Sequence, residues 1–195
     1  VNHFWLIFIG VVLASFGGMM VNIYNGLVRL RSQVERAWAN IEVVLKQRFD
    51  EIPQIVQVVE QYAGYESSVL KDLAQARTRY GSAGSVGQKI KAAQDMSIAL
   101  SGVMAIGEAY PELKANENFK QLQQRVSALE SQIADRRETY NDVIANFNAR
   151  IEQFPDVFAA KFLNYQRQEM FKATEQERNT IPSLKMNLPG SRAAS

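Results

Sequence analysis

Between residues 4 and 28 the chain carries no charged side chain, and Arg29 and Arg31 follow directly. The stretch FWLIFIGVVLASFGGMMVNIYNGLV has no charged face to turn toward water, so it does not read as an ordinary surface helix. As a helix it would reach about 37 Å, against a hydrocarbon core of about 30 Å. The apolar part is densest over 4–21, while Asn22, Tyr24, Asn25 and Gly26 suit the exit through an interfacial zone. A cleaved signal peptide would carry a basic n-region, which Val1, Asn2 and His3 do not supply. A helix lying flat on a membrane would need a charged face. Residues 1–28 are therefore expected to form a single transmembrane anchor.

All 22 Lys and Arg and all 20 Asp and Glu fall after residue 28, which leaves a nearly charge-balanced domain and a net charge of +2. That balance offers no electrostatic footprint for nucleic acid. There is no Cys, and His3 is the one imidazole. Disulfides, thiol chemistry, a zinc site and Ser/His/Asp or Cys/His nucleophiles are thereby disfavoured. The Glu-x-x-His pairs of di-iron bundles are missing as well. Neighbouring carboxylates such as Asp50 and Glu51 point apart on a helix, and Arg31–Glu35 and Lys46–Asp50 fit i,i+4 surface pairs. The expectation is a non-enzymatic chain with no catalytic residue, metal, cofactor or small-molecule substrate.

From Tyr24 onward, apolar residues recur in threes and fours: Leu27, Val34, Trp38, Ile41, Leu45, Phe49, Ile52, Val56, Val59 and Ala63. This is one buried stripe on a long amphipathic helix that continues the anchor. The helix is expected to run to about Tyr80, with Pro53 causing a kink or short break near 49–53. GSAGSVG (81–87) reads as a turn, since it meets neither the spacing nor the context of a phosphate-binding loop. A second helix carries Ile90, Ala93, Met96, Val103 and Ile106 and stops before Tyr110-Pro111, which marks a connection. Asn116 is a good N-cap for the third helix. Its stripe is Phe119, Leu122, Val126, Leu129, Ile133, Tyr140, Val143, Phe147 and Ile151. After Pro155, a fourth helix is predicted through Phe158, Phe162, Tyr165 and Met170 to near Arg178, then an extended tail over 180–195. Such helices are best satisfied by an all-α antiparallel bundle over 29–179, projecting from the membrane as a rod.

Two sets of residues bear on assembly. Gly10, Ala14 and Gly18 recur every four residues in the anchor, a spacing that lets two helix backbones approach closely. Asn25, Asn40, Asn141 and Asn148 fall on or beside the stripes, where buried amides would fix helix register.

The run Tyr24-Asn25-x-Leu27-Val28-x-x-Arg31, then Val34, Ala37-Trp38 and Ile41, resembles the LemA family. The likeness continues through Leu45-Lys46-x-Arg48-x-Asp50-x-Ile52-Pro53 and Tyr62-Ala63. It resumes in Glu108-x-Tyr110-Pro111-x-Leu113-Lys114-Ala115-Asn116 and in Arg137-x-x-Tyr140-Asn141. The resemblance implies an N-terminal membrane anchor, a long antiparallel bundle and no established catalytic residue. One branch of that family, the magnetosome MamQ type, is linked to membrane invagination, which implies membrane organisation by analogy. This chain departs from the family pattern at Tyr65, where His is frequent, and at Glu51 and Gln54, where Leu and Asn are common.

The expected function is a membrane-anchored scaffold, a homo-oligomer that contacts lipid and shapes the membrane. The alternative is an adaptor or regulatory subunit of a membrane protease, transporter or envelope complex. Arg29, Arg31, Arg36, Lys46 and Arg48 follow the anchor and no Lys or Arg precedes it. The expected location is a bacterial cytoplasmic membrane, and the positive-inside rule favours the bundle on its cytoplasmic side.

Overall fold

The charge-free stretch and the first amphipathic stripe fold as one helix, α1 (Asn2–Glu60), about 88 Å long. The computed structural model describes residues 2–62 and 67–171, and among these the fold is all-α. After α1 come α2 (Ser67–Ser82), α3 (Val86–Ala109), the short α4 (Pro111–Ala115), α5 (Glu117–Glu152) and α6 (Asp156–Phe162).

Pairings between helices define the topology. Gly26 of α1 faces Arg150 of α5, Trp38 meets Tyr140 and Arg48 meets Glu130, so α1 and α5 are antiparallel. Glu42 pairs with Lys89, and Arg48 reaches Ala93 and Ser97, so α3 runs parallel to α1. The short turn after α2 folds it back along α3, giving an up-down-up-down bundle. Leu27, Ile41, Leu45, Ile52 and Val59 bury the face of α1 predicted from the stripe. They pack with Leu73 of α2, Met96 and Leu100 of α3, and Phe119, Leu122, Ile133 and Phe147 of α5.

The α2–α3 hairpin is shorter than the α1–α5 pair, because α3 begins opposite Glu42. Below that level the core is closed differently. Residues after α5 turn back upward, first as α6 and then as an extended strap over 165–171 that lies on α5. Phe147 packs on Tyr165 with ring centroids 5.7 Å apart, and the buried Phe171 closes the strap.

Several boundaries depart from the periodic reading. The helix passes Pro53 unbroken, and Pro53 is exposed. A proline on the solvent side leaves the carbonyl it fails to pair within reach of water. The break comes at Glu60 instead of Tyr80, and Gly64 in the following gap was the available signal. Pro111 opens α4 at its first position, where a missing N–H costs nothing, so the connection is partly helical. The fourth helix stops at Phe162 rather than near Arg178. Asn164 there adopts a left-handed φ of 54°, and Tyr165 N donates to the Ala160 carbonyl at 2.9 Å, which terminates the helix. The remaining residues assigned to that helix, from 172, and the tail lie outside the described residues, as do Ala63 and Tyr65.

Among the described residues, two helix N-termini are capped by side chains, and the Asn116 cap agrees with the sequence. Ser85 closes the glycine turn with a capping box, accepting from Gln88 N at 3.2 Å while Gln88 Oε1 accepts from Ser85 N at 3.3 Å. Asn116 caps α5 by accepting from Phe119 N at 3.0 Å. Its Nδ2 also donates to Tyr62 Oη at 2.8 Å, tying the top of α5 to the end of α1.

Candidate functional site

Residues of the sequence motifs gather at two places inside the bundle. The upper one is built on Arg48, whose side chain is 1% exposed and sits where α1, α3 and α5 meet. Its Nη1 donates to Ser97 Oγ and to Glu130 Oε1, both at 2.6 Å, and Nη2 donates to the Ala93 carbonyl at 2.8 Å. Ser97 Oγ donates in turn to Glu130 Oε2 at 3.1 Å. A planar guanidinium with several donors can bind three helices at once, which a lysine ammonium cannot do with the same geometry. Arg48 Nε is buried without a hydrogen-bond partner among the described residues.

Aromatic groups flank this arginine. Phe49 stacks on Tyr80 with centroids 5.6 Å apart, and Arg77 lies over the Phe49 ring at 4.7 Å. Burial, aided by the Glu42 carboxylate and opposed by Arg48, pushes the Tyr80 hydroxyl up to about 12. One turn further along α1, Glu51 and Gln54 both engage Arg125 of α5, at 3.2 and 3.0 Å. Two of the three positions that depart from the family pattern thus share one partner.

The lower place is the strap. Asn141 Nδ2 donates to the Phe171 carbonyl at 2.9 Å and its Oδ1 accepts from Phe171 N at 2.9 Å. Seven residues along the same face of α5, Asn148 repeats the arrangement with Gln168, at 3.0 and 2.8 Å. Each amide presents to the extended chain the donor and acceptor that a neighbouring strand would offer. Between them Tyr140 Oη donates to the Glu169 carbonyl at 3.1 Å, and Trp38, Tyr140 and Phe171 form an edge-to-face series. Burial, with a smaller contribution from Glu169, pushes the Tyr140 hydroxyl up to about 12. The Glu169 carboxylate lies against Gly87 in the first turn of α3, where a negative charge is favoured.

Other motif residues stand apart from both places. Asp50 pairs with Lys46 at 3.1 Å and Arg31 with Glu35 at 3.0 Å, both at the surface. Pro53, Tyr24 and Asn25 are exposed, and Tyr110 and Pro111 form the α3–α4 corner. The asparagines need correction as a group. Asn25 and Asn40 are exposed, and Asn141 and Asn148 hold an extended strap instead of setting register between helices. Their spacing of seven on one stripe was the readable signal; its partner was not. Gly10, Gly17 and Gly18 have nothing within 4 Å of an added Cβ, and Ala14 is exposed.

No group of three His, Cys, Asp or Glu gathers to hold a metal among the described residues. Two open clefts of about 290 and 380 Å³ lie on either side of the Arg79–Asp95 ion pair between α2 and α3. The internal arrangement is one of helix and strap clamps that brace a long rod, and α1 has an apolar segment long enough to cross a membrane.

The fold and these clamps define an all-α helical-bundle protein whose long N-terminal helix is apolar enough to cross a membrane. The LemA family profile matches residues 37–185, and the chain belongs to the LemA family. It is similar to magnetosome protein MamQ 2 of Paramagnetospirillum magneticum (strain ATCC 700264 / AMB-1), 22% identical over 186 residues covering 82% of this chain and 68% of that protein. Magnetosome protein MamQ of Magnetospirillum gryphiswaldense is 23% identical over 185 residues, with the same coverage of 82% and 68%. Protein LemA of Metamycoplasma hominis is 23% identical over 186 residues, covering 95% of this chain and 85% of that protein. None of these names denotes an enzyme.

Proposed function

We propose that this protein is a non-enzymatic scaffold, anchored in a bacterial cytoplasmic membrane by the apolar part of α1, that self-associates and organises the surrounding membrane. The observation that carries the reading is the state of that apolar segment. Phe4 to Met19 stand clear of the bundle, with Phe4, Leu6, Ile7 and Leu13 each more than 60% exposed. A surface of this kind needs lipid or another helix to cover it. Gly10, Ala14 and Gly18 lie along it with no neighbour from the bundle, which supports close packing against a second copy. The similarity to magnetosome proteins supports a part in membrane organisation, and Arg29, Arg31 and Arg36 after the segment favour a cytoplasmic bundle.

Reconstitution tests the organising role. Full-length protein in liposomes at rising protein-to-lipid ratio is expected to form clusters and to change vesicle curvature in cryo-electron micrographs. Dispersed single copies in vesicles of unaltered shape would count against it.

A second reading, as an adaptor for another membrane protein, is favoured by the α2–α3 cleft of about 380 Å³ that Ile98 and Val69 line. Ile98 is 62% exposed and available to a partner. In-membrane crosslinking from Ile98→Cys that returns only this chain would eliminate the adaptor.

A further inference from the structure

The packing of α6 is inverted. Asp156 and Ala160 are buried and Ala159 is half-buried, whereas Phe154, Phe158 and Phe162 are 78%, 62% and 89% exposed. A helix on a water-facing surface buries its phenylalanines and exposes its alanines. The spacing of four puts Phe158 and Phe162 on one face of α6, and Phe154, in the turn that precedes the helix, meets Phe158 edge to face at 6.0 Å. Together they present on the order of 400 Å² of apolar surface, the scale of a functional patch.

The register of the bundle says where that face lies. Each step toward the C-terminus of α5 is matched by a step toward the N-terminus of α1, from Arg48–Glu130 through Trp38–Tyr140 to Gly26–Arg150. The last residues of α5, after Arg150, therefore fall beside the part of α1 that precedes Gly26, and the chain reverses there into α6, whose Asp156 pairs with Arg150. There α6 packs on both α1 and α5, and Ile23 is buried and Met20 half-buried within the otherwise exposed apolar segment. Thus α6 stands at the level where that segment ends. The acidic groups at this end are neutralised, Asp156 by Arg150 and Glu152 by Arg167, while the exposed Lys161 sits between Phe158 and Phe162.

We infer that the Phe154–Phe158–Phe162 face is a second membrane contact, seated in the interfacial layer of the bilayer that α1 crosses. The inference rests on the reading of α1 as a membrane span, and its occupant is lipid. Aromatic rings favour the headgroup boundary, and Lys161 can extend to phosphate while its stem lies along the apolar layer. A rod held at one point can tilt; a rod held by α1 and α6 is fixed in angle and rotation relative to the membrane.

The cysteine-free chain allows a clean test with single spin labels on full-length protein in liposomes of phosphatidylcholine and phosphatidylglycerol. Phe158→Cys and Phe162→Cys are compared with Ser131→Cys, an exposed position higher on α5, and with Val12→Cys in the apolar segment. The expected result is an accessibility ratio of oxygen to a water-soluble nickel chelate several-fold higher at 158 and 162 than at 131. Chelate accessibility at 158 and 162 equal to that at 131, with Val12 in lipid, overturns the second contact and leaves the anchor intact. Low accessibility to both reagents means that protein covers the face, from a second copy or from residues after 171, and also overturns it. A water-accessible label at Val12 overturns the anchor and the contact with it.

Discussion

Arg48 and Glu130 stand 2.6 Å apart although 82 residues separate them, and the arginine is almost completely buried while the glutamate is about one-third exposed. This pairing holds α1 to α5 at mid-bundle and, through Ser97, holds α3 to both. Arg48→Met removes the cation and its three hydrogen bonds, and is expected to cost about 2–4 kcal/mol, the partial exposure of Glu130 keeping it below a fully buried pair. Arg48→Lys should recover only a small part, since an ammonium cannot reproduce the fork. Denaturant unfolding of the full chain in mild detergent checks both, and a double-mutant cycle with Glu130→Gln should give a coupling of about 1 kcal/mol or more. An Arg48→Lys variant as stable as the parent would contradict the geometric argument.

Asn141→Ala and Asn148→Ala each remove a donor and an acceptor from the strap. Each change is expected to weaken strap docking by about 1–3 kcal/mol while leaving the melting of the upper bundle little changed. Faster trypsin cleavage after Arg167, together with faster amide exchange at Gln168 and Phe171, is the readout. Unchanged cleavage would mean that α6 and Phe171 packing hold the strap alone.

The two buried tyrosines set an alkaline limit. Tyr80 and Tyr140 have hydroxyls raised from 10.0 to about 12, in both cases chiefly by burial. The folded state therefore favours the neutral phenol more than the unfolded chain does. Its contribution is fully present below pH 10 and is lost as pH rises through about 12. Melting temperature should fall over that window, and Tyr140→Phe should flatten the fall, at the expense of its hydrogen bond to Glu169 at all pH values. Tyrosinate absorbance titrating at the ordinary phenol value in the native protein would contradict this.

How far this was readable in the sequence varies by element. The stripe from Leu27 to Val59 was legible because each buried residue falls on the same helical face, and so was the Asn116 cap. The third stripe was legible too, although Ile144 is fully buried next to the half-buried Val143 that the spacing selected. The strap was not. Periodicity continued through Tyr165 and Met170, and a single left-handed Asn164 outweighed it. Arg48 was visible only as a motif residue, because its partners lie 45 to 82 residues away and helical spacing reports local neighbours alone. The exposed Phe158 and Phe162 read as core for the same reason: periodicity marks an apolar face without saying whether protein or lipid covers it.

Gly107 illustrates a contact that only the fold reveals. A Cβ there would lie 2.5 Å from Cε1 of the buried Phe119. Gly107→Ala is expected to destabilise by about 1–3 kcal/mol despite the better helix propensity of alanine, and Phe119→Leu in the same chain should relieve part of it. Thermal melting of the parent and the two variants checks the sign.

The most direct test of self-association through α1 is single-molecule photobleaching of full-length, singly labelled protein in lipid bilayers. An added Cβ meets nothing within 4 Å at Gly10 or Gly18 and Ala14 is exposed, so the triple variant Gly10→Leu, Ala14→Leu and Gly18→Leu is expected to fold as the parent does. The parent is expected to bleach in two or more steps and the variant to shift toward one. Single-step bleaching of the parent, or identical step distributions for the two chains, would contradict a scaffold assembled through that face.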